Sequence, residues 1–315
     1  MRVNFFILES PLQVASACKV SELFDSESFF FIRLNGDKNN DDLIYREMDK
    51  VSKETHRVFF KTKRGSRISL LLCFARLLIH YIRFIGRIDG VFIGHWQSRW
   101  MRVSSVIIKL QNIGIVDDGL ATISAIRQLN TLKKNRFLLK YLPTFYTSFD
   151  INIPYPKIVS CKKKKQVSCK VGSFAIIIGT PLVEKGIINF GLYEKIINNI
   201  SSHMKSKSMD IIYIPHRAEG QLLDRYDSDI KIMTLDKSVE DYFKELISFP
   251  SFVFSFYSTA LVNLSEVYKG PSFYSILLDE NDIESNFKSI VLNSYEYIFS
   301  LNSIKVVPYE NIYNI

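Results

Sequence analysis

Short apolar runs alternate with segments of helical periodicity along most of the chain, and the runs stop abruptly on glycine, proline or polar residues. A run of this kind reads as a strand buried on both faces, and a helix between two such strands makes a parallel crossover. The alternation therefore restricts the chain to an α/β fold of doubly wound, mostly parallel sheets. In the first half strands are expected at residues 3–8, 29–34, 57–60, 90–93 and 114–116, with helices at 12–23, 41–53, 69–85 and 99–110 between them. The second half repeats the pattern, with strands at 174–178, 210–214, 230–233, 252–256 and 272–278 and helices at 193–204 and 239–247. A further helix opens after Tyr257, and the remainder reads as a mixed tail. The architecture looks duplicated although no sequence repeat accompanies it.

Residues 130–170 interrupt the alternation with prolines, unpatterned aromatic residues and the run Lys162 to Lys165. They read as a connection between two domains, 1–160 and 161–315, each long enough to bury its own core. The lysine run reads first as a solvated face, with contact to anionic lipid or glycan as the second reading.

With 47% hydrophobic and 23% charged residues, the chain belongs among folded globular proteins. Its net charge of +9 favours anionic partners: nucleic acid, acidic lipid, nucleotide sugars or acidic glycans. No RNA-binding signature, zinc-finger spacing or basic zipper is present, which argues against nucleic acid. Cys18, Cys73, Cys161 and Cys169 form no CxxC pair, so free thiols in a reducing cytoplasm are expected. The start MRVNFFILESPLQ does not read as a secretory signal. The most hydrophobic stretch, residues 68–85, is interrupted by Arg76, His80 and Arg83, which argues against a bilayer-spanning helix.

The stretch Ile113 to Thr122, IGIVDDGLAT, concentrates the chemistry. An apolar strand stops there on Asp117, Asp118 and Gly119, and ligands of open α/β sheets sit outside the carboxyl ends of strands. One carboxylate is expected to point into a cleft while the other caps the following helix. Ordinary turn chemistry explains the same residues if they are taken alone.

His216 follows the apolar strand IIYIP in the same way, with Arg217 as a fixed charge and Glu219 as a residue that orients the pair. Ser258 and Thr259 open a helix after a buried strand, where hydroxyls and backbone amides receive an anion, and Gly179-Thr180 ends another strand. His216 also has a bland reading as a loop histidine, and Ser258-Thr259 as an ordinary helix cap. His80 reads as a core or interface residue, whereas His95 ends a strand beside Trp96 and can face a cleft. No metal motif is convincing: HExxH is absent, and adjacent aspartates make a poor dedicated Mg2+ site.

The ordered set of Asp117-Asp118-Gly119, His216 and Ser258-Thr259 resembles the bacterial sialyltransferases, specifically the lipooligosaccharide sialyltransferases and capsular polysialyltransferases with their D/E-D/E-G, HP and paired Ser/Thr motifs. ESPLQVASA near the start, GTPLVEKGII, and the spacing from there to IIYIPHRAE add to the resemblance. It implies a glycosyltransferase of the B type, with two Rossmann-like domains facing across a cleft. The N-terminal domain would bind the acceptor and carry the base, and the C-terminal domain would bind the donor. CMP-sialic acid would be used with inversion and without a metal, to build a surface glycan such as capsule, lipooligosaccharide or O-antigen. Asp117 or Asp118 would be the general base, with Asp117 favoured. His216 would meet the CMP phosphate and assist its departure, bound by Ser258 and Thr259. Gly179, Thr180 and Glu184 would line the nucleotide pocket. The family's HP dipeptide is His216-Arg217 here, so the stiffening proline is lost and Arg217 would supplement phosphate binding. The expected partners are a CMP-sugar and an oligosaccharide or lipid-linked acceptor, with cytoplasmic location and room for peripheral contact with the inner membrane. The alternatives are a B-type transferase using CMP-ketodeoxyoctonic acid or a UDP-sugar, and a non-catalytic binder of anionic glycan.

Overall fold

The structure, a computed structural model, describes residues 2–51, 55–63, 65–108, 112–131, 141–161, 165–219 and 230–315. Of the lysine run, Lys162 to Lys164 lie outside these residues. The chain divides into two compact units, Met1–Lys163 and Lys164–Ile315.

In the first unit the elements follow as β1 (Val3–Leu8), α1 (Pro11–Ser21), β2 (Glu27–Leu34), α2 (Lys38–Asp49), β3 (His56–Lys61), α3 (Arg67–Arg83), β4 (Ile88–Ile93), α4 (Arg99–Ile108), β5 (Ile113–Val116), α5 (Ala121–Asn130), β6 (Thr144–Thr147) and β7 (Ile158–Ser160). They form a parallel seven-stranded sheet in the order β3-β2-β1-β4-β5-β6-β7. Successive residues of β1 serve opposite faces, as the period of two in a strand requires. Val3, Phe5 and Ile7 enter one core with α3, α4 and α5, while Phe6 and Leu8 enter the other with α1 and α2. Both faces are buried, which is why the strand is apolar at every position but Asn4, itself buried. Phe6 stacks between Phe30 and Phe92 at centroid distances of 4.9 and 4.6 Å, tying the three central strands together.

The second unit runs β8 (Val167–Ser168), β9 (Phe174–Ile178), α6 (Phe190–Ser206), β10 (Asp210–Ile214), β11 (Lys231–Ile232), α7 (Val239–Lys244), β12 (Phe252–Ser255), α8 (Thr259–Val267), β13 (Tyr268–Lys269), β14 (Ser272–Leu277), α9 (Lys288–Phe299) and β15 (Ile304–Pro308). Its parallel six-stranded sheet has the order β11-β10-β9-β12-β14-β15, and β8 pairs with β13 apart from it. In each unit the strand order reverses at the first strand of the sheet, between β1 and β4 and between β9 and β12. Such switch points open a crevice at the carboxyl edge of a sheet.

Two sequence expectations are corrected. Part of the segment read as a connection forms β6 and β7 and completes the first sheet. These strands are only four and three residues long and lack a continuous apolar run, so the pattern that marks the inner strands is missing. The tail read as mixed contains α9 and β15, and β15 closes the second sheet at its edge with only Ile304 buried.

Candidate active site

Helices α1, α2, α3, α6 and α7 each begin on Ser, Asp or Asn whose side chain accepts a backbone N–H of the first turn. Helix α5, which follows the aspartate pair, begins on Leu120 without a side-chain cap. The expected capping role of one aspartate is therefore absent, and both carboxylates bond elsewhere. Gly119, at a φ of +67°, turns the chain between them and the helix in a conformation that strains other residues.

Asp117 is 6% exposed, and its Oδ2 accepts from the backbone N–H and hydroxyl of Ser148 at 2.7 and 3.1 Å. Ser148 follows β6, so Asp117 fastens the end of β5 to the neighbouring strand. Asp118 is more open. Its Oδ2 lies 2.5 Å from His95 Nδ1, and its Oδ1 accepts from the Ser10 hydroxyl at 3.4 Å. Ser10 follows β1 and His95 follows β4, so the cluster stands at the switch point of the first sheet. Burial disfavours the His95 imidazolium, but the hydrogen bond and charge of Asp118, with Glu9 behind, outweigh it and raise its pKa. Glu9 is itself held by Arg33 at 2.5 Å and by the indole N–H of Trp100 at 3.0 Å, with the Arg33 guanidinium over the Trp100 ring.

The second unit has a matching edge. Glu219, 7% exposed, accepts from the His216 backbone N–H at 2.8 Å and from the hydroxyls of Tyr193 and Tyr213, both at 2.9 Å. The Tyr193 hydroxyl also accepts from the Thr180 N–H at 3.2 Å, and the Thr180 and Ser255 hydroxyls meet at 3.3 Å. This network binds the ends of β9, β10 and β12 to α6. Gly179 is required by it: a Cβ there would lie 2.2 Å from Glu219 Oε2 and 2.9 Å from the His216 N. Burial raises the Glu219 pKa to about 7, against the lowering effect of its three hydrogen bonds and with help from the Glu184 charge.

His216 Nδ1 accepts the Ala218 N–H at 3.1 Å, so the neutral ring carries its proton on Nε2. Burial, then the charges of Arg217 and Lys185, push its pKa down to about 3. The histidine is thus a neutral donor at rest, its pKa below the ordinary histidine value of about 6.5. Ser258 is the N-cap residue of α8 and makes no side-chain cap bond, leaving its hydroxyl at the helix N-terminus without that duty. Thr259 is the first residue of α8 beside it, and Arg217 is exposed next to His216. Glu184 stands exposed on the turn after β9 and reaches this network through its charge.

His80 packs on Phe29, with ring centroids 5.3 Å apart, within the first core. Among the described residues no three His, Cys, Asp or Glu side chains gather as a metal site requires. The roles of Ser148, Tyr193 and Tyr213 carried no signal in the sequence, because their meaning arises only from strand order. Glu9 and Ser10 stood within ESPLQVASA without a role of their own.

No family model matches the chain. The N-acetyllactosaminide alpha-2,3-sialyltransferase of Haemophilus influenzae is 24% identical over 286 residues, 83% of this chain and 88% of that protein. The chain resembles a bacterial sialyltransferase over most of its length. Among solved structures, the glycosyltransferase SnogD of Streptomyces nogalater matches with a TM-score of 0.52 at 10% identity, covering 100% of this chain and 88% of that one. S. aureus MnaA, solved with UDP, matches with a TM-score of 0.50 at 12% identity, covering 100% of this chain and 87% of that one. The fold is that of the B-type glycosyltransferases, two Rossmann-like units in succession. The sialyltransferase relative and this fold together support a glycosyltransferase.

Proposed function

We propose that the protein is an inverting sialyltransferase that moves sialic acid from CMP-sialic acid to a hydroxyl of a glycan acceptor, without a metal. The observation that carries this reading is that the first sheet holds a carboxylate–histidine cluster at its carboxyl edge, and the second sheet holds at its own carboxyl edge both a neutral histidine and the N-terminus of α8. The sialyltransferase relative and the B-type fold support it.

In this reading the second unit receives the donor. The His216 Nε2–H donates to the CMP phosphate, and Ser258, Thr259 and the α8 N-terminus bind the same group. Arg217 adds a fixed charge, and the backbone of Gly179 and Thr180 lines the nucleotide with Glu184 at its margin. A leaving group with one phosphate needs less neutralisation than a diphosphate, so these donors suffice. The phosphate's charge raises the His216 pKa from its low resting value, so the ring gains proton affinity as the leaving group departs.

The first unit supplies the base. The acceptor oxygen forms a bond to the anomeric carbon, the bond from that carbon to the phosphate oxygen breaks, and its electron pair leaves on CMP. The acceptor proton passes to the Asp118–His95 pair. Asp118 is the more accessible carboxylate, whereas Asp117 is buried and committed to Ser148. The geometry therefore favours Asp118 where the sequence favoured Asp117. Asp117 acts beneath it, fixing the turn.

Thermal-shift comparison of CMP, UDP and GDP tests the donor class. CMP alone is expected to stabilise the protein, by about 2.7 kcal/mol at one hundred times Kd. Stabilisation by UDP or GDP in its place overturns the assignment.

A further inference from the structure

Helix α3 is apolar on two opposed faces. Cys73 and Leu77 enter the core against Phe5, Phe29 and Phe84. On the other side Ile68 is 74%, Leu71 67%, Leu72 57%, Ile79 60% and Ile82 64% exposed. At 3.6 residues per turn these five side chains fall within an arc of about 100°. Arg76 and Arg83 border that stripe on one side and Arg67 on the other, all exposed. From Lys61 to Ile88 the sequence has seven Lys and Arg and no Asp or Glu. Helix α4 packs into the same core through Met101 and Ile108, and it exposes Val103, Val106 and Ile107 beside α3's face of the sheet. No helix among the described residues is long and apolar enough to cross a membrane.

We propose that this face docks on an anionic lipid surface, with α3 lying in the interfacial plane. Charge complementarity selects the occupant. A stripe of large aliphatic side chains flanked only by cations matches a bilayer whose headgroups are negative, with arginine stems covering acyl chains while the guanidinium groups reach phosphate. A second copy docked through α3 would press cationic helices together without an acidic residue on either. Because the sheet is parallel and α3 begins just after the carboxyl end of β3, its N-terminal end lies at the same sheet edge as Asp118 and His95. The docked surface thus reaches, at its Ile68 end, the sheet edge that carries the candidate base. The inference does not depend on which sugar is transferred.

The test is co-sedimentation of the full chain with vesicles of phosphatidylcholine and phosphatidylglycerol, against vesicles of phosphatidylcholine alone. Wild type is expected to bind the mixed vesicles and to weaken as salt screens the headgroups. The double variant Ile79→Glu, Ile82→Glu is expected to bind at least about tenfold more weakly. Arg76→Glu with Arg83→Glu, which changes two exposed residues, is expected to lose about as much and decides the matter if the first variant does not fold. Circular dichroism melts establish folding for each. The proposal is overturned if wild type ignores anionic vesicles, or if a folded variant binds them undiminished. It is equally overturned if light scattering finds a dimer that Ile79→Glu, Ile82→Glu breaks while vesicles stay unbound.

Discussion

Asp118 Oδ2 and His95 Nδ1 stand 2.5 Å apart and join the ends of β5 and β4 beside the switch point of the first sheet. With Asp117 turned inward to Ser148, two adjacent carboxylates have separate tasks. Asp118→Asn is expected to lower kcat/KM by about a hundredfold to ten-thousandfold, the usual effect of removing a general base. Asp117→Asn is expected to act through the fold: loss of the charge-assisted bonds to Ser148 destabilises by about 1–3 kcal/mol. Melting temperatures and kcat/KM measured on both variants separate the roles, and a purely kinetic defect in Asp117→Asn reverses them.

The His95–Asp118 pair has a pH signature of defined sign. The His95 pKa is raised, so the pair's contribution to stability is fully present below the ordinary histidine value of about 6.5 and is lost as pH rises through the folded value. The stability difference between wild type and His95→Gln should accordingly be larger at about pH 5.5 than at about pH 9. Denaturant melts at the two pH values give the comparison, and a gap that grows with pH contradicts the pairing.

Glu219 moves stability in the same direction with pH, but through burial rather than through an opposite charge. Its pKa is raised from 4.5 to about 7 mainly by burial, so the folded state holds a proton that the unfolded chain has released. Its effect is that stability falls as pH rises from about 4.5 to about 7, by roughly 2–3 kcal/mol at most. Gln at this position can keep an oxygen toward His216 N–H and Tyr213 while its amide meets Tyr193. Glu219→Gln should therefore remove this slope and spare the fold, as scanning calorimetry across that range would report. Gly179→Ala drives a Cβ into the same carboxylate and is expected to destabilise by about 1–3 kcal/mol.

Much of this fold was readable because inner parallel strands are buried on both faces. Val3–Leu8, Phe174–Ile178 and Asp210–Ile214 all agree with the expected residues 3–8, 174–178 and 210–214. Strand β6 and the edge strands β7 and β15 escaped because they are short or half-covered, and nothing local distinguishes them from loop. The site divides in the same way. Asp118, His216 and Ser258 were visible as polar residues terminating apolar runs. Their partners Ser10, Ser148, Tyr193 and Tyr213 come from other elements, and only strand order brings them near. His216 shows the other limit, since its neutral resting state follows from burial and from Arg217 and Lys185 rather than from residue type.

A pKa of about 3 keeps His216 neutral across the working range, so the free enzyme should show no His216 limb in kcat/KM above about pH 4. His216→Ala is expected to lower kcat about a hundredfold to a thousandfold by removing the donor to the departing phosphate. A change confined to KM would place the histidine in ground-state binding alone.

The most direct test of the central claim is CMP release from CMP-sialic acid in the presence of EDTA, by wild type, Asp118→Asn and His216→Ala. The account predicts release by wild type at a rate EDTA does not change, with both variants slowed at least about a hundredfold. Absence of release by folded wild type, or release that both variants retain in full, contradicts it.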